Sequence, residues 1–231
     1  MMAKHIGIVA CSAEGAALCY RTICSEGTVF MGRHNHPEIS MHNYPLHEYM
    51  ERIYRDDWNG VAELMLGSAR KLQNIGADFL ICPDNTIHQA FDNVIRKCAL
   101  PWLHIATEVA RAAVAQKFRR SGIMGTKYLM TGPVYPGKYN EYGLEFMIPS
   151  KEEMHEIDRI IFEELVNGQI FQTSEVYLYK IIERFKAEGC DSIVLGCTEL
   201  PLIVLPAGSA LPVLDSTRIL ARAALREAYT G

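Results

Sequence analysis

Two short polar clusters each follow an apolar run: Asp84-Asn85-Thr86-Ile87-His88 and Cys197-Thr198-Glu199. Cys197 sits at the end of a predicted strand, beside amides that open the next turn, which is a setting that makes a thiol reactive. Thr198 and those amides suit an anionic group such as an α-carboxylate, and Glu199 suits orienting an ammonium or polarising a neighbour. In the first cluster Asp84 is a second base, Asn85 and Thr86 supply hydrogen bonds for a carboxylate, and His88 lies one helical turn beyond Asp84. Each cluster taken singly also fits an ordinary helix start, with a capping side chain and a first-turn acid. The chemical reading gains from the pairing. Inverting a stereocentre requires one base on each face of the substrate, one to remove the proton and one to return it.

Such groups need elements to hold them. Apolar runs ending in small or polar residues predict strands near 6–10, 38–42, 78–82, 102–105, 122–125, 144–148, 192–196 and 211–214. From Trp58 to Ile75, apolar residues recur every three or four positions and Gly76 follows, which predicts a helix with a glycine stop. Lys151 to Asn167, ended by Gly168, and Ser174 to Ala187, closed by Gly189, follow the same pattern. In the stretch Ala10-Cys11-Ser12-Ala13-Glu14-Gly15, Glu14 is read as a helix-start residue. Helices this frequent between buried strands predict an α/β chain with mainly parallel sheets flanked by helices, which bind ligands at the carboxyl ends of their strands.

Two pairs of segments echo each other: 76–86 with 189–199, and 6–12 with 121–127. They predict two similar lobes. Residues 1–104 with 209–231 form the N-terminal α/β lobe and 105–208 the C-terminal one, the last helix, Thr217 to Tyr229, returning to the first. The equivalent polar clusters are then expected to face each other across the gap, with the active site between the lobes.

Composition narrows the partners. With 23 basic and 27 acidic residues interspersed and a net charge of −4, nothing marks a nucleic-acid footprint, and a small-molecule partner fits better. No run approaches the roughly 20 apolar residues of a membrane span, and the N-terminus lacks a basic segment leading into an apolar one, so the expected location is cytoplasmic. The seven cysteines are odd in number and lack CxxC spacing, against a disulfide framework or a structural zinc site. Cys82 is read as core.

The chain resembles the aspartate/glutamate racemase superfamily, and the resemblance spans almost its whole length. GIMGTKYLMTGPVYPGKYNEYGLEFMIPS at 122–150 is similar to the family's GT…T…Y…GxE…P block, HPEISMHN at 36–43 to its early loop, NTxH at 85–88 and LGCTEL at 195–200 to its two active-site motifs, and LPVLDST at 211–217 to its closing strand. This implies an amino-acid racemase of two facing lobes related by a pseudo-twofold axis, often a homodimer, using neither pyridoxal phosphate nor metal. It also implies Asn85, Thr86, Thr126 and Thr198 at the α-carboxylate, with Glu199 or His88 tuning the bases or holding the ammonium. Cys197 matches the second catalytic thiol, while Asp84 stands where the first is expected. An Asp–thiol pair is naturally set for Asp84 to abstract and Cys197 to donate. Asn43-Tyr44-Pro45-Leu46 and Phe171-Gln172-Thr173 replace cationic positions of the aspartate-specific members, which points away from an acidic substrate. A decarboxylase or cis-trans isomerase of the same superfamily, or a silent amino-acid-binding protein, are the alternatives.

Overall fold

Three of the apolar runs become strands with no solvent on either side. In the computed structural model, which describes residues 3–229, every residue of β1 (Ile6–Ala10), β3 (Phe79–Ile81) and β7 (Ser192–Leu195) is buried. They are interior strands of two sheets. The first has the order β2-β1-β3-β4, with β2 at Ile39–Asn43 and β4 at Trp102–Leu103. The second repeats it as β6-β5-β7-β8, with β5 at Arg120–Met124, β6 at Glu145–Met147 and β8 at Val213–Asp215. Every pairing is parallel; Ile6 aligns with Ile39 and Phe79 in one sheet, and Ser121 with Phe146 and Ser192 in the other. All eight strands lie close to their predicted positions.

Helices fill the crossovers, as parallel pairing requires. They are α1 (Ala13–Met31), α2 (Leu46–Tyr54), α3 (Trp58–Asn74), α4 (Phe91–Ile95), α5 (Ile105–Ala115), α6 (Lys127–Thr131), α7 (Val134–Glu141), α8 (Lys151–Arg159), α9 (Gln172–Ala187) and α10 (Ser216–Tyr229). Local chemistry sets their ends. Ser12 caps α1 by accepting from Gly15 N, with Glu14 in the first turn. Ser150 and Glu153 form a reciprocal capping box on α8. The helix predicted from Lys151 to Asn167 is regular only to Arg159; a π turn follows at Ile160–Glu164 and a 3-10 turn at Leu165–Asn167, before Gly168 at φ 71°.

The internal echo is physical. Gly76 and Gly189 both stand at φ 91°, and each is followed two residues later by an aspartate that binds the start of the first strand of its sheet. Asp78 accepts from His5 N at 2.7 Å, and Asp191 accepts from Arg119 N at 2.6 Å and Arg120 N at 3.2 Å. The chain divides into two units, Met1–Ile105 with Thr217–Gly231, and Ala106–Ser216. The expected boundary is corrected over 209–216: β8 pairs in register with β7, Val213 against Ile193, so this stretch belongs to the second sheet. Only α10 returns, packing Leu220, Ala221, Ala224, Leu225 and Ala228 into a cluster with Ile6, Ile8, Ala16, Cys19 and Ile23.

Candidate active site

The first cluster follows β3 and is tied to the end of β1. The Asp84 carboxylate accepts from Cys11 N at 3.2 Å and from Ser12 N at 3.2 and 3.3 Å. Those amides lead into α1, a 19-residue helix, so the carboxylate sits at the positive end of a helix dipole, where an anion is favoured. Asp84 is 9% exposed. The contribution of Cys11 and Ser12 was not anticipated from sequence. The signal was present in the small-residue stretch after β1 and its capping serine, but the pairing spans more than 70 residues.

Asn85 and Thr86 open a 3-10 turn, Thr86–Ala90, instead of an α-helix. Asn85 is buried and Thr86 half-buried. His88 is placed behind this turn. Its Nδ1 lies 2.9 Å from the Asp84 carbonyl oxygen, and Ile105 N donates to its Nε2 at 3.4 Å, so Nδ1 carries the proton and donates. Phe91 stacks on the ring and His104 meets it edge-on. Burial lowers its pKa to about 4, against the smaller opposing effect of the Asp84 carbonyl. His88 is a neutral ring that fixes the Asp84 backbone. Cys82 is fully buried; its thiol donates to the Asp84 carbonyl at 3.8 Å, and burial pushes it well above the usual thiol range.

The second cluster follows β7. Gly196 N donates to Met124 O at 2.7 Å, and a Cβ on Gly125 would lie 3.2 Å from Gly196 O. That close approach brings the ends of β5 and β7 together, and with them Thr126 and Cys197, one residue beyond each glycine. Thr126 caps α6 by accepting from Leu129 N at 3.2 Å. The expected helix start after Cys197 is a short 3-10 turn, Leu200–Leu202, containing Pro201. The Cys197 thiol donates to Glu199 Oε2 at 2.9 Å, and Thr198 Oγ1 donates to the same oxygen at 2.7 Å. The sulfur therefore holds its proton against a buried carboxylate, while Cys197 itself is partly accessible.

Cations are mostly committed. Arg159 pairs with Glu156 at 2.6 Å and with buried Glu164 at 2.8 Å, and Lys127 lies 3.8 Å from Asp158. Tyr44 carries Lys71 over its ring at 4.5 Å, a cation that the loop sequence around Tyr44 does not reveal. Gln172 and Thr173 are exposed at the start of α9. Among the described residues no group of three His, Cys, Asp or Glu is gathered to hold a metal ion. No helix there is long and apolar enough to cross a membrane.

Two parallel sheets of one topology, each with a polar cluster at the carboxyl end of an interior strand, form the α/β framework that carries the candidate site. The model of the Asp/Glu/Hydantoin racemase family matches residues 8–224, and the chain belongs to that family. It is similar to the broad specificity amino-acid racemase RacX of Bacillus subtilis, 21% identical over 81% of this chain and 80% of that one. Among solved structures it is similar to a candidate Asp/Glu racemase from Yersinia pestis, 31% identical, TM-score 0.89, covering 97% of this chain and 99% of that one. An aspartate racemase homologue from Pyrococcus horikoshii gives 30% identity and a TM-score of 0.85 over the same shares. The protein is a racemase.

Proposed function

We propose that this racemase inverts Cα of an amino acid by two-base proton transfer without a cofactor, with Asp84 and Cys197 as the proton-transfer groups. The observation that carries the proposal is the opposite hydrogen-bonding state of the two groups. The Asp84 carboxylate accepts from the Cys11 and Ser12 amides, whereas the Cys197 thiol donates to Glu199. One is ready to take a proton and the other ready to give one. In the direction so prepared, Asp84 takes the Cα proton, the carbanion is drawn into the α-carboxylate, and Cys197 delivers its proton to the opposite face. Asn85, Thr86, Thr126 and Thr198 bind the α-carboxylate. Glu199 holds the thiol proton in line until transfer, and His88 positions Asp84 from behind.

For the substrate, a neutral side chain fits better than an acidic one. Arg159 and Lys127 already face carboxylates, and the relative from Bacillus subtilis is of broad specificity. The homodimer and the cytoplasmic location implied by resemblance and composition belong to the same proposal.

Proton NMR in deuterated water, with L- and D-alanine, methionine, glutamine, lysine, aspartate and glutamate, tests it through loss of the Cα signal. Exchange is expected in wild type, fastest for a neutral member. Asp84→Asn and Cys197→Ser are each expected to slow it at least about 100-fold. Full exchange in Asp84→Asn would sink the two-base assignment.

A further inference from the structure

Beside Thr126 stands a charge pair that the proton transfer does not use. Asp158 is the last residue but one of α8, and its carboxylate reaches the start of α6. Its Oδ1 accepts from Lys127 N at 2.9 Å, and its Oδ2 lies 3.8 Å from Nζ of the same lysine. The amide contact fixes the turn in which Thr126 caps α6 through Leu129 N, one residue beyond Gly125 and its close approach to Gly196. The ammonium contact sets charge against charge next to that turn. Asp158 is in turn kept in place by its neighbour, since Arg159 is anchored on Glu156 at 2.6 Å and Glu164 at 2.8 Å.

The two contacts differ in kind. The amide bond is short, and the Asp158 side chain is only 15% exposed. The ion pair is long, the Lys127 side chain is 54% exposed, and its ammonium also rests over the Tyr128 ring, 5.1 Å from the centroid. A lysine held this loosely on a flexible stem is a cation able to answer another anion, which the tightly forked Arg159 is not. Left without a facing carboxylate, Lys127 would favour a substrate with a second carboxylate on its side chain, because Thr126 holds the first one a residue away. With Asp158 opposite, the two charges nearly cancel at a distance. The turn alone does not call for a charge. Asparagine would accept from Lys127 N through its amide oxygen equally well, so what a carboxylate adds at this position is the neutralisation of Lys127.

We propose that Asp158 is a specificity-determining residue, which cancels the charge of Lys127 and so turns the enzyme away from acidic amino acids. The inference rests on the reading in which Thr126 holds the α-carboxylate and the substrate side chain is neutral. Asp158 acts through Lys127 and needs no contact with the substrate. A unit charge within about 10 Å, partly screened by solvent, changes the affinity for a further unit charge by about fivefold. Every amino acid carries the same α-carboxylate and α-ammonium, so the effect of the pair on those groups drops out when two substrates are compared. Only the charge on the side chain remains in the ratio.

Exchange at Cα is measured as kcat/KM for glutamate, its neutral counterpart glutamine, and lysine, in wild type, Asp158→Asn, Lys127→Gln and the double variant. The ratio of glutamate to glutamine is expected to rise about fivefold in Asp158→Asn and to fall by a similar factor in Lys127→Gln. In the double variant, which restores the charge balance, it is expected to return to within about twofold of wild type. The ratio of lysine to glutamine is expected to move the opposite way in each single variant. A merely structural role would lower all three substrates together and leave the ratios alone, so unmoved ratios in Asp158→Asn overturn the proposal. A ratio still raised in the double variant overturns it as well, because Lys127 would not then be the source of the effect. Failure of the underlying reading shows elsewhere. A wild type that prefers glutamate to glutamine overturns the neutral-substrate reading and the inference with it, and Thr126→Val with unaltered kcat/KM for all three overturns the placing of the α-carboxylate.

Discussion

Asp84 and His88 share one turn, yet the structure gives them different work. The aspartate reaches forward to the Cys11 and Ser12 amides, and the histidine is closed behind it with both ring nitrogens engaged on backbone groups. That burial has a cost that depends on pH. The His88 pKa is about 4 in the folded chain and 6.5 as its ordinary value, so between these values the unfolded chain binds the extra proton and the folded one does not. Stability is whole above pH 6.5 and declines as pH falls toward 4, by about 3 kcal/mol in full. Urea unfolding of wild type and His88→Gln at pH 7.5 and 4.5 checks this. Wild type is expected to lose more between the two pH values than the variant, and equal losses would refute the assignment. The sequence identified Asp84, Asn85, Thr86 and His88 as a group because they are polar and adjacent. It did not separate their roles, since the partners that divide them, Cys11, Ser12 and Ile105, are remote in the chain. The same limit hid Lys71, whose place over the Tyr44 ring depends on packing between remote segments.

At the scale of elements the sequence was far more legible. Strands buried on both faces must be short apolar runs, and a helix that packs on them must repeat its apolar residues every three or four positions. What periodicity does not carry is how near two elements approach. Gly7 in β1 and Gly122 in β5 occupy matched places in the echoed segments, and each is pressed by a side chain. A Cβ at Gly7 would meet Leu80 Cδ2 at 2.4 Å, and one at Gly122 would meet Phe185 Cδ2 at the same distance. Phe185, from α9, is itself fully buried, so it has little room to yield. Gly122→Ala is expected to cost about 1–3 kcal/mol by overpacking, and Gly122→Ala with Phe185→Leu to cost less than the sum of the single changes. Additive losses in denaturant unfolding would show that the glycine is needed for its backbone and not for the approach of α9. The π turn at Ile160–Glu164 was equally beyond periodicity, and beyond it Val166, which the helical spacing placed on the apolar face, is exposed.

For the whole molecule, the charge balance excluded a strongly basic protein, no run was long and apolar enough for a spanning helix, and the motifs gave the family, but the point where the chain crosses back was misplaced by one strand. Apolar residues at 211–214 predict a strand without saying which sheet receives it; the pairing of Val213 with Ile193 decides that. The chain then returns through α10 alone. Besides its five aliphatic residues in the core around β1, α10 is fastened by Lys4 to Glu227 at 2.6 Å, by Lys4 N to Ala228 O at 3.0 Å, and by the two-pronged contact of Arg222 with Glu26 at 2.7 and 2.8 Å. Exposed ion pairs add little, so the apolar contacts carry the stabilisation, on the order of 6 kcal/mol for two leucines and three alanines. Removing residues 216–231 should therefore strip the first sheet of a wall of its core while leaving the second sheet its own cluster around Ile157, Ile182 and Phe185. Amide hydrogen exchange on the truncated chain is expected to show protection lost in β1, β2 and β3 and kept in β5 and β7. Equal loss in both sheets would mean that the two units unfold as one, and that the last helix stabilises more than the core it packs into.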